Sequence, residues 1–577
     1  MKKSLLTLGL ALCGAGMGFA QNAGVIYEGV FFTSASPNGN WLGHNMENAA
    51  LIYDRSTQKE YVFFDETYVG GYFIGYGHSV TNNGMFVGSV QEANEEAAWG
   101  SYADAAYFKD GEWVKLPQIS GRELGVNSVN AVTPDEWRMC GAQGPEGAKF
   151  GKDNLMLYPV IWTKNAEGNY DIQPLPYPEK DFSGRAPQYV TAMDISADGK
   201  TIVGQVMDCS GFYCYPILYQ QDANGEWSYR TFGTSLLWDE SRLGELPVLP
   251  EQPSYPNVDD YLSAEDLAAY QAAEDYYYEC LNKCYSGDMD WSELPPYPSK
   301  NEYISDETKL AEYNAAMDKY NEENNAWYEV YMEFEDKLTE ITTGASFVFN
   351  NLKISPNGKY ALYDISAPDP NGDPDAWFPE MIYQNGVFDL SAAEPTMFSN
   401  SSTDKISNAI YDNGMFIACS PTSSYSRSSY VGHVGQDEMK PVEDYLAEAG
   451  ETAAADFINE NCVFDMVDYV WNEETGMYEE VTIPGALISG TGFFTSEGKT
   501  YVSWFQDPAS YSLCSLVLDL ANPVAGIHNA VAAEGEGNVI GREYYNLQGQ
   551  RIAAPTQGVY LEKVLTDKGV VTYKRMK

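Results

Sequence analysis

One short phrase returns along this 577-residue chain and restricts its fold more than any other feature. It reads Ser36-Pro37-Asn38-Gly39, Thr81-Asn82-Asn83-Gly84, Ser196-Ala197-Asp198-Gly199 and Ser355-Pro356-Asn357-Gly358. Tyr411-Asp412-Asn413-Gly414 and Thr495-Ser496-Glu497-Gly498 are two further copies. Thr133-Pro134-Asp135-Glu136 is a seventh, degenerate one with Glu136 in the glycine place. Asn/Asp-Gly accepts positive φ at both central positions, which predicts a primed hairpin turn. The residues that follow, such as Thr201-Ile202-Val203, are β-branched or aromatic, as strands prefer. More strands follow at Ala105–Phe108, Pro159–Trp162 and Pro216–Tyr219, and further turns at Asp110-Gly111 and Asn224-Gly225. The pattern amounts to about four strands per unit.

The turn positions 39, 84, 136, 199, 358, 414 and 498 set the period. Units of ~40–50 residues with four strands each are the mark of a β-propeller, and seven copies predict seven blades over residues 25–524. The expected fold class is all-β with a helical insertion: a seven-bladed β-propeller plus a small C-terminal β-sandwich-like domain. The phrase Ser196-Ala197-Asp198-Gly199-Lys200-Thr201-Ile202-Val203-Gly204 resembles the extracellular repeats named for a His-Ala-Phe tripeptide, although the tripeptide is absent here. Pro441–Gly450 is similar to the short helix that precedes the next repeat in such proteins. The resemblance implies a propeller and no particular activity.

The stretch from Gly199 to Gly358 is too long for one unit, and its excess changes character. Residues 259–341 have helical periodicity. Ser263 with Asp266 makes a capping box, and Pro295, Pro296 and Pro298 break the first helix from a second one opening near Ser305. Leu310, Tyr313, Met317, Tyr320, Trp327, Tyr331, Phe334 and Leu338 form the second helix's apolar stripe. The expectation is a helical hairpin with an anionic outer face, since the segment holds 22 acidic against 5 basic side chains.

The two ends carry targeting signals. Lys2 and Lys3 precede an apolar run from Leu5 to Ala15, and Gly18-Phe19-Ala20 offers small residues before Gln21. Residues 1–20 therefore read as a secretory signal peptide, too short to span a bilayer. Residues 525–540 read as a linker. Residues 541–577 reverse the charge, with seven basic and three acidic side chains, and hold strand patterns at Tyr544–Ile552, Gly558–Leu561 and Val570–Lys574. Tyr545-Asn546-Leu547-Gln548-Gly549-Gln550-Arg551, Gly558-Val559-Tyr560-Leu561 and the basic last strand resemble the C-terminal sorting domain of Bacteroidota proteins exported by the type IX route. That resemblance implies the secretion machinery as a partner and an extracellular or outer-membrane-surface location.

Charge excludes one class of partner. Thirty-four basic against 83 acidic side chains give a net charge of −49, which repels phosphate backbones and argues against nucleic acid. The four histidines, His44, His78, His433 and His528, are too scattered for a histidine-built zinc site. No Cys-x-x-Cys pair occurs. Cys209 and Cys214 flank a turn-like spacer and suit a bridge, whereas Cys280 and Cys284, four apart on a helix, do not. The one metal-like pattern is Asp369, Asn371, Asp373 and Asp375, whose alternating oxygens suit Ca²⁺, although Pro374 stands where an EF-hand loop needs glycine. No nucleophile elbow, phosphate loop or zincin motif is present. The expected function is a secreted or cell-surface, non-catalytic propeller that binds a protein or glycan ligand. The alternative is a secreted carbohydrate-active enzyme with carboxylates at the propeller centre.

Overall fold

The structure is a computed structural model of the whole chain. It describes residues 24–576 except 47–48, 65–71, 75–78, 94–100, 122–126, 145–156, 183, 209–210, 212, 251, 349–351, 370, 373–380, 392–395, 402–405, 422–426, 437, 473–474, 525–538, 546–550, 553–558 and 567–568. The proposed signal peptide, most of the linker, His78 and His528 thus lie outside the described residues.

The chain is mostly β and is built from small antiparallel sheets. Six of them follow in chain order, at residues 34–64, 72–115, 128–174, 189–231, 346–401 and 406–441. The next joins Thr491–Phe494, Thr500–Gln506 and Leu513–Asp519 to the N-terminal strand Gly24–Glu28, paired from Gly24↔Leu518 to Glu28↔Cys514. In six of the seven the recurrent phrase lies between the strand opening the unit and the next, as in Tyr189–Ile195 and Thr201–Met207, and in the fifth it lies between Lys353–Ile354 and Tyr360–Pro368.

The turn chemistry explains the phrase and corrects its expected type. Gly39 N–H donates to Ser36 O at 2.8 Å, and Gly199 N–H to Ser196 O at 2.9 Å. Only the glycine has positive φ, 73° at Gly39 and 66° at Gly199; the preceding Asn or Asp does not. This is a type I turn closed by a left-handed glycine, not a primed turn. Pro37 and Pro356 sit at the first central position, where the ring locks φ negative. The serine hydroxyl holds the turn from within: Ser196 Oγ donates to Asp198 Oδ1 (2.7 Å) and accepts from Thr201 N–H (3.0 Å). Ser36 and Ser355 repeat the arrangement. A primed turn does occur at Asp110-Gly111, where both φ values are positive, 53° and 93°. Glu136, the degenerate copy, adopts the glycine conformation at φ 62°.

Each turn is hydrogen-bonded to the next. Asn38 N–H reaches Asn82 Oδ1 (2.9 Å), Thr81 Oγ1 reaches Glu136 Oε1 (2.7 Å), and an Arg138 N–H reaches Gly199 O (2.8 Å). Ala197 N–H donates to Pro356 O (2.6 Å) and Asn357 N–H to Asp412 Oδ1 (2.7 Å). Tyr411 OH accepts from Phe494 N–H and donates to Phe494 O, and Glu497 N–H returns to Pro37 O (3.2 Å). The chain of contacts therefore runs through all seven units and back to the first. Apolar side chains fill the space between the sheets. Val160, Ile161 and Trp162 are fully buried in the third, and Leu516, Val517 and Leu518 in the closing one.

Two helices, α3 (Val442–Glu448) and α4 (Thr452–Asn461), precede the closing sheet, the first of them within the expected helical stretch Pro441–Gly450. Gly450 at φ 86° breaks them apart, and the Glu451 carboxylate accepts from Ala521 N–H and Asn522 N–H, both at 2.8 Å. A hairpin of Val463–Asn472 and Met477–Leu487 follows, which the phrase-based reading did not foresee. Cys214 is a free buried thiol donating to Gln205 Oε1 at 3.1 Å, and Cys209, its expected bridge partner, lies outside the described residues. Cys214 lies inside the strand Cys214–Gln221, which aims it into the sheet. At the C-terminus, Arg551–Ile552, Val539–Tyr545, Val559–Thr566 and Gly569–Met576 form one four-stranded antiparallel sheet in that order, rather than a sandwich.

The second compact unit comprises Phe182–Arg185 and Trp238–Thr342. Helix α1 (Ala264–Ser286) opens on the Ser263/Asp266 capping box and closes on Gly287 at φ 82°. Helix α2 (Glu307–Ile341) is capped by Asp306, one residue beyond the expected Ser305. Of the stripe, Tyr313, Phe334 and Leu338 are buried. Extended proline-rich segments cover both helices. Tyr255 packs edge-on to Tyr320 and Tyr261 to Tyr313, while Trp327 donates to Pro250 O (3.0 Å); Tyr297 meets Tyr277, and Tyr303 meets Tyr270. Among the described residues, no helix is long and apolar enough to cross a membrane.

Leu237 and Thr343 flank this unit and are joined by a Thr343 N–H to Leu237 O bond of 2.8 Å. Excising 238–342 therefore leaves two ends already in contact, with no loop to close. The excised protein is expected to lose the helical circular-dichroism signal and keep one cooperative thermal transition. Loss of all cooperative unfolding would show that the sheets depend on the helices.

Candidate functional site

All seven units reach one cavity of about 130 Å³ through the residues just before their recurrent turns. Each unit contributes apolar surface to it, through Ala35, Val80, Val132, Ile195, Ile354, Ile410 and Phe494. These residues immediately precede, or begin, the recurrent turns. The sequence therefore builds the cavity seven times over by one device: a strand that ends in an apolar residue and is stopped by a turn.

Beside the polar Ser79, Tyr411, Thr495 and Ser496, two lining side chains carry a charge. Asp194 lies on the opening strand of the fourth sheet and Lys353 on the short strand Lys353–Ile354 of the fifth. Asp194 follows a bulge, where pairing to Thr201–Met207 shifts between Ala192 and Asp194. Bulges re-aim the side chains beside them. Gly204 lies opposite Ala192, and an added Cβ there would come within 1.9 Å of Thr191 O, so the bulged strand requires glycine as its neighbour. The Asp194 carboxylate accepts from its own neighbour Ile195 N–H (2.9 Å) and from Ile354 N–H (2.9 Å) of the next sheet.

Both charges are uncomfortable in this setting. Burial pushes the Asp194 carboxyl above its ordinary range, against the pull of Lys353 and of the two N–H donors. Burial likewise pushes the Lys353 ammonium down, and Asp194 opposes that shift. The two attract each other without closing into an ion pair. Tyr411, also on the wall, is held by Phe494 through its hydroxyl, and burial raises its pKa. Asp194 is the sole carboxylate among the described lining residues.

The other titratable groups lie elsewhere. His44 is buried against Phe31, ring centroids 4.0 Å apart, and burial lowers its pKa to about 4, with a backbone hydrogen bond to Phe31 opposing. His433 is lowered by burial and by Lys440. Asp364 is a buried carboxylate joining the fifth sheet to the sixth: it accepts from Asn385 Nδ2 and from Ser407 N–H, each at 2.7 Å. Of the calcium candidates, Asp373 and Asp375 lie outside the described residues. Asp369 accepts from Asn371 N–H at 2.8 Å, an ordinary Asx turn. Among the described residues, no group of three His, Cys, Asp or Glu side chains is placed to hold a metal.

Sequence reasoning passed over Asp194 and Lys353, yet a signal existed. Both stand two residues before the first residue of the recurrent phrase, where the other units have Ser34, Ser79, Ala131, Ala409 and Phe493. Aligning the units on the turn exposes two charged positions among seven.

No family model and no curated protein matches the chain. Solved structures with a similar course include hydrazine synthase of Kuenenia stuttgartiensis, at 10% identity over 88% of this chain and 99% of that one, with a TM-score of 0.37. An oligogalacturonate lyase in complex with manganese aligns at 7% identity over 86% and 90%, with a TM-score of 0.38. The β-propeller domain of the trilobed protease from Pyrococcus furiosus aligns at 6% identity over 87% and 98%, with a TM-score of 0.31.

Proposed function

We propose that this chain is an exported seven-bladed β-propeller that binds a ligand at the cavity where its blades converge, without carrying out chemistry on it. The circle of turn-to-turn hydrogen bonds and the seven-sided cavity support the ring. The observation that carries the non-catalytic reading is the single lining carboxylate, Asp194. Glycoside hydrolysis needs two carboxyl groups flanking the scissile bond, and the described lining supplies one. The carbohydrate-active alternative is thereby disfavoured. The test places the mature protein on glycan and peptide arrays, with a parallel assay for released reducing sugar. Binding without sugar release, lost in an Ala197→Trp variant that fills the cavity, is the expected result. Turnover of any glycan, or binding that survives the filled cavity, would overturn it.

The basic C-terminal sheet is the proposed address for type IX export, and the apolar N-terminal run the proposed Sec signal. In the native host, deletion of 541–577 is expected to trap the protein in the periplasm, while the surface form of the intact gene ends near Gly541. Surface protein that still carries Lys577, or a deletion mutant that still reaches the surface, would refute the sorting role.

A further inference from the structure

Asp194 and Lys353 are opposite charges on neighbouring sheets that line one largely apolar cavity, and they attract each other with no hydrogen bond between them. In a low-dielectric space such a pair gains most by closing, and unpaired charges there are costly. Asp194 does not swing across to Lys353, because two backbone N–H groups, from Ile195 and Ile354, already hold both carboxylate oxygens. The gap is thus built into the sheets. The space of about 130 Å³ far exceeds the ~15 Å³ that a single water needs.

A ligand suited to this gap completes both charges at once. A neutral sugar can hydrogen-bond both groups but neutralises neither, a simple anion satisfies Lys353 and is repelled by Asp194, and a simple cation does the reverse. We propose that the cavity binds a small zwitterion, an apolar α-amino acid, with its carboxylate on Lys353, its ammonium on Asp194 and its side chain against Ile354, Ile410 and Phe494. This assignment rests on the binding reading above and names the ligand class for the same site.

The test uses the mature full chain and isothermal titration with L-leucine, L-leucinamide, N-acetyl-L-leucine and glucose. Leucine is expected to bind saturably at one site, and each blocked analogue roughly ten- to hundredfold more weakly, the scale of one charged hydrogen bond. Lys353→Met should weaken leucine by a similar factor and leave leucinamide unchanged. Lys353→Arg, which keeps the charge, should bind leucine within a few-fold of the parent, and a thermal melt checks that both variants are folded. Equal binding of leucine and leucinamide, or no saturable leucine binding, overturns the zwitterion assignment. If glucose or an array ligand binds instead and Ala197→Trp abolishes it, the cavity reading stands and only the ligand class falls. If Ala197→Trp leaves leucine binding intact, the cavity reading itself falls.

Discussion

Deletion of residues 24–32 is expected to abolish cooperative folding of the sheet unit. Gly24–Glu28 is the outer strand of the closing sheet, whose other strands lie almost five hundred residues later. Tyr27, Val30 and Phe32 are 8%, 1% and 1% exposed and belong to the largest buried cluster. Ser515 ties the segment down, accepting from Phe32 N–H (2.6 Å) and donating to Val30 O (3.0 Å). Removing three large buried side chains costs about 2–5 kcal/mol each. The sum is of the order of the whole stability of a typical domain, ~5–15 kcal/mol. The deletion also bares Leu513–Asp519 as an unpaired edge, which invites aggregation. The measurement is a near-ultraviolet circular-dichroism melt with light scattering. A deletion protein that melts within a few degrees of the parent would show that the first strand is dispensable and that closure does not hold the sheets together.

Glu136→Ala has the second largest effect expected, a loss of about 1–3 kcal/mol, because it removes the partner of the buried Thr81 hydroxyl and of the half-buried Lys109 ammonium. Glu136 is 3% exposed, accepts from Thr81 Oγ1 (2.7 Å) and pairs with Lys109 Nζ (2.5 Å). It also carries φ 62°, which glycine adopts without strain. Glu136→Gly loses the same bonds and relieves that strain, so it should be about 1 kcal/mol more stable than Glu136→Ala. Burial acts to raise the Glu136 pKa, but the Lys109 and Thr81 hydrogen bonds and the Lys109 charge outweigh it and hold the group below its ordinary value. The unfolded chain therefore takes up the proton first as pH falls. The contribution is fully present above the ordinary glutamate range and is lost as pH drops through the lowered folded value. Urea unfolding of parent and Glu136→Gln should show a wide gap at neutral pH that narrows in acid. A gap independent of pH, or equal stabilities of the Gly and Ala variants, would refute this account.

Glu136 also shows how far local sequence carries. Thr133-Pro134-Asp135-Glu136 is recognisable as a turn from its Thr, Pro and Asp, and the structure forms that turn. What the local sequence lacks is the reason glutamate is tolerated, since Lys109 and Thr81 come from the preceding sheet. The recurrent turns misled in one respect. Asn-Gly suggests a primed hairpin centred on that pair, but the turn closes one residue earlier, from Ser36 to Gly39, with Pro37 preset at its first central position and the serine hydroxyls stabilising the type I form.

Whatever depends on neighbours within a few residues can be read along the chain. Seven turns, the strands around them, the Ser263/Asp266 cap, the second helix's buried stripe and the charge contrast between body and tail all follow from turn chemistry, capping and periodicity, which act over four or five positions. Only the tertiary structure decided what lies across from what. Strand alternation is the same for any partner, so nothing near Gly24 states that it pairs with Leu518. Nothing near Asp194 states that Ile354, 160 residues away, binds its carboxylate, or that Lys353 shares its cavity. Those pairings follow from closing the repeated units on one another, which brings into one small space positions that local chemistry leaves independent.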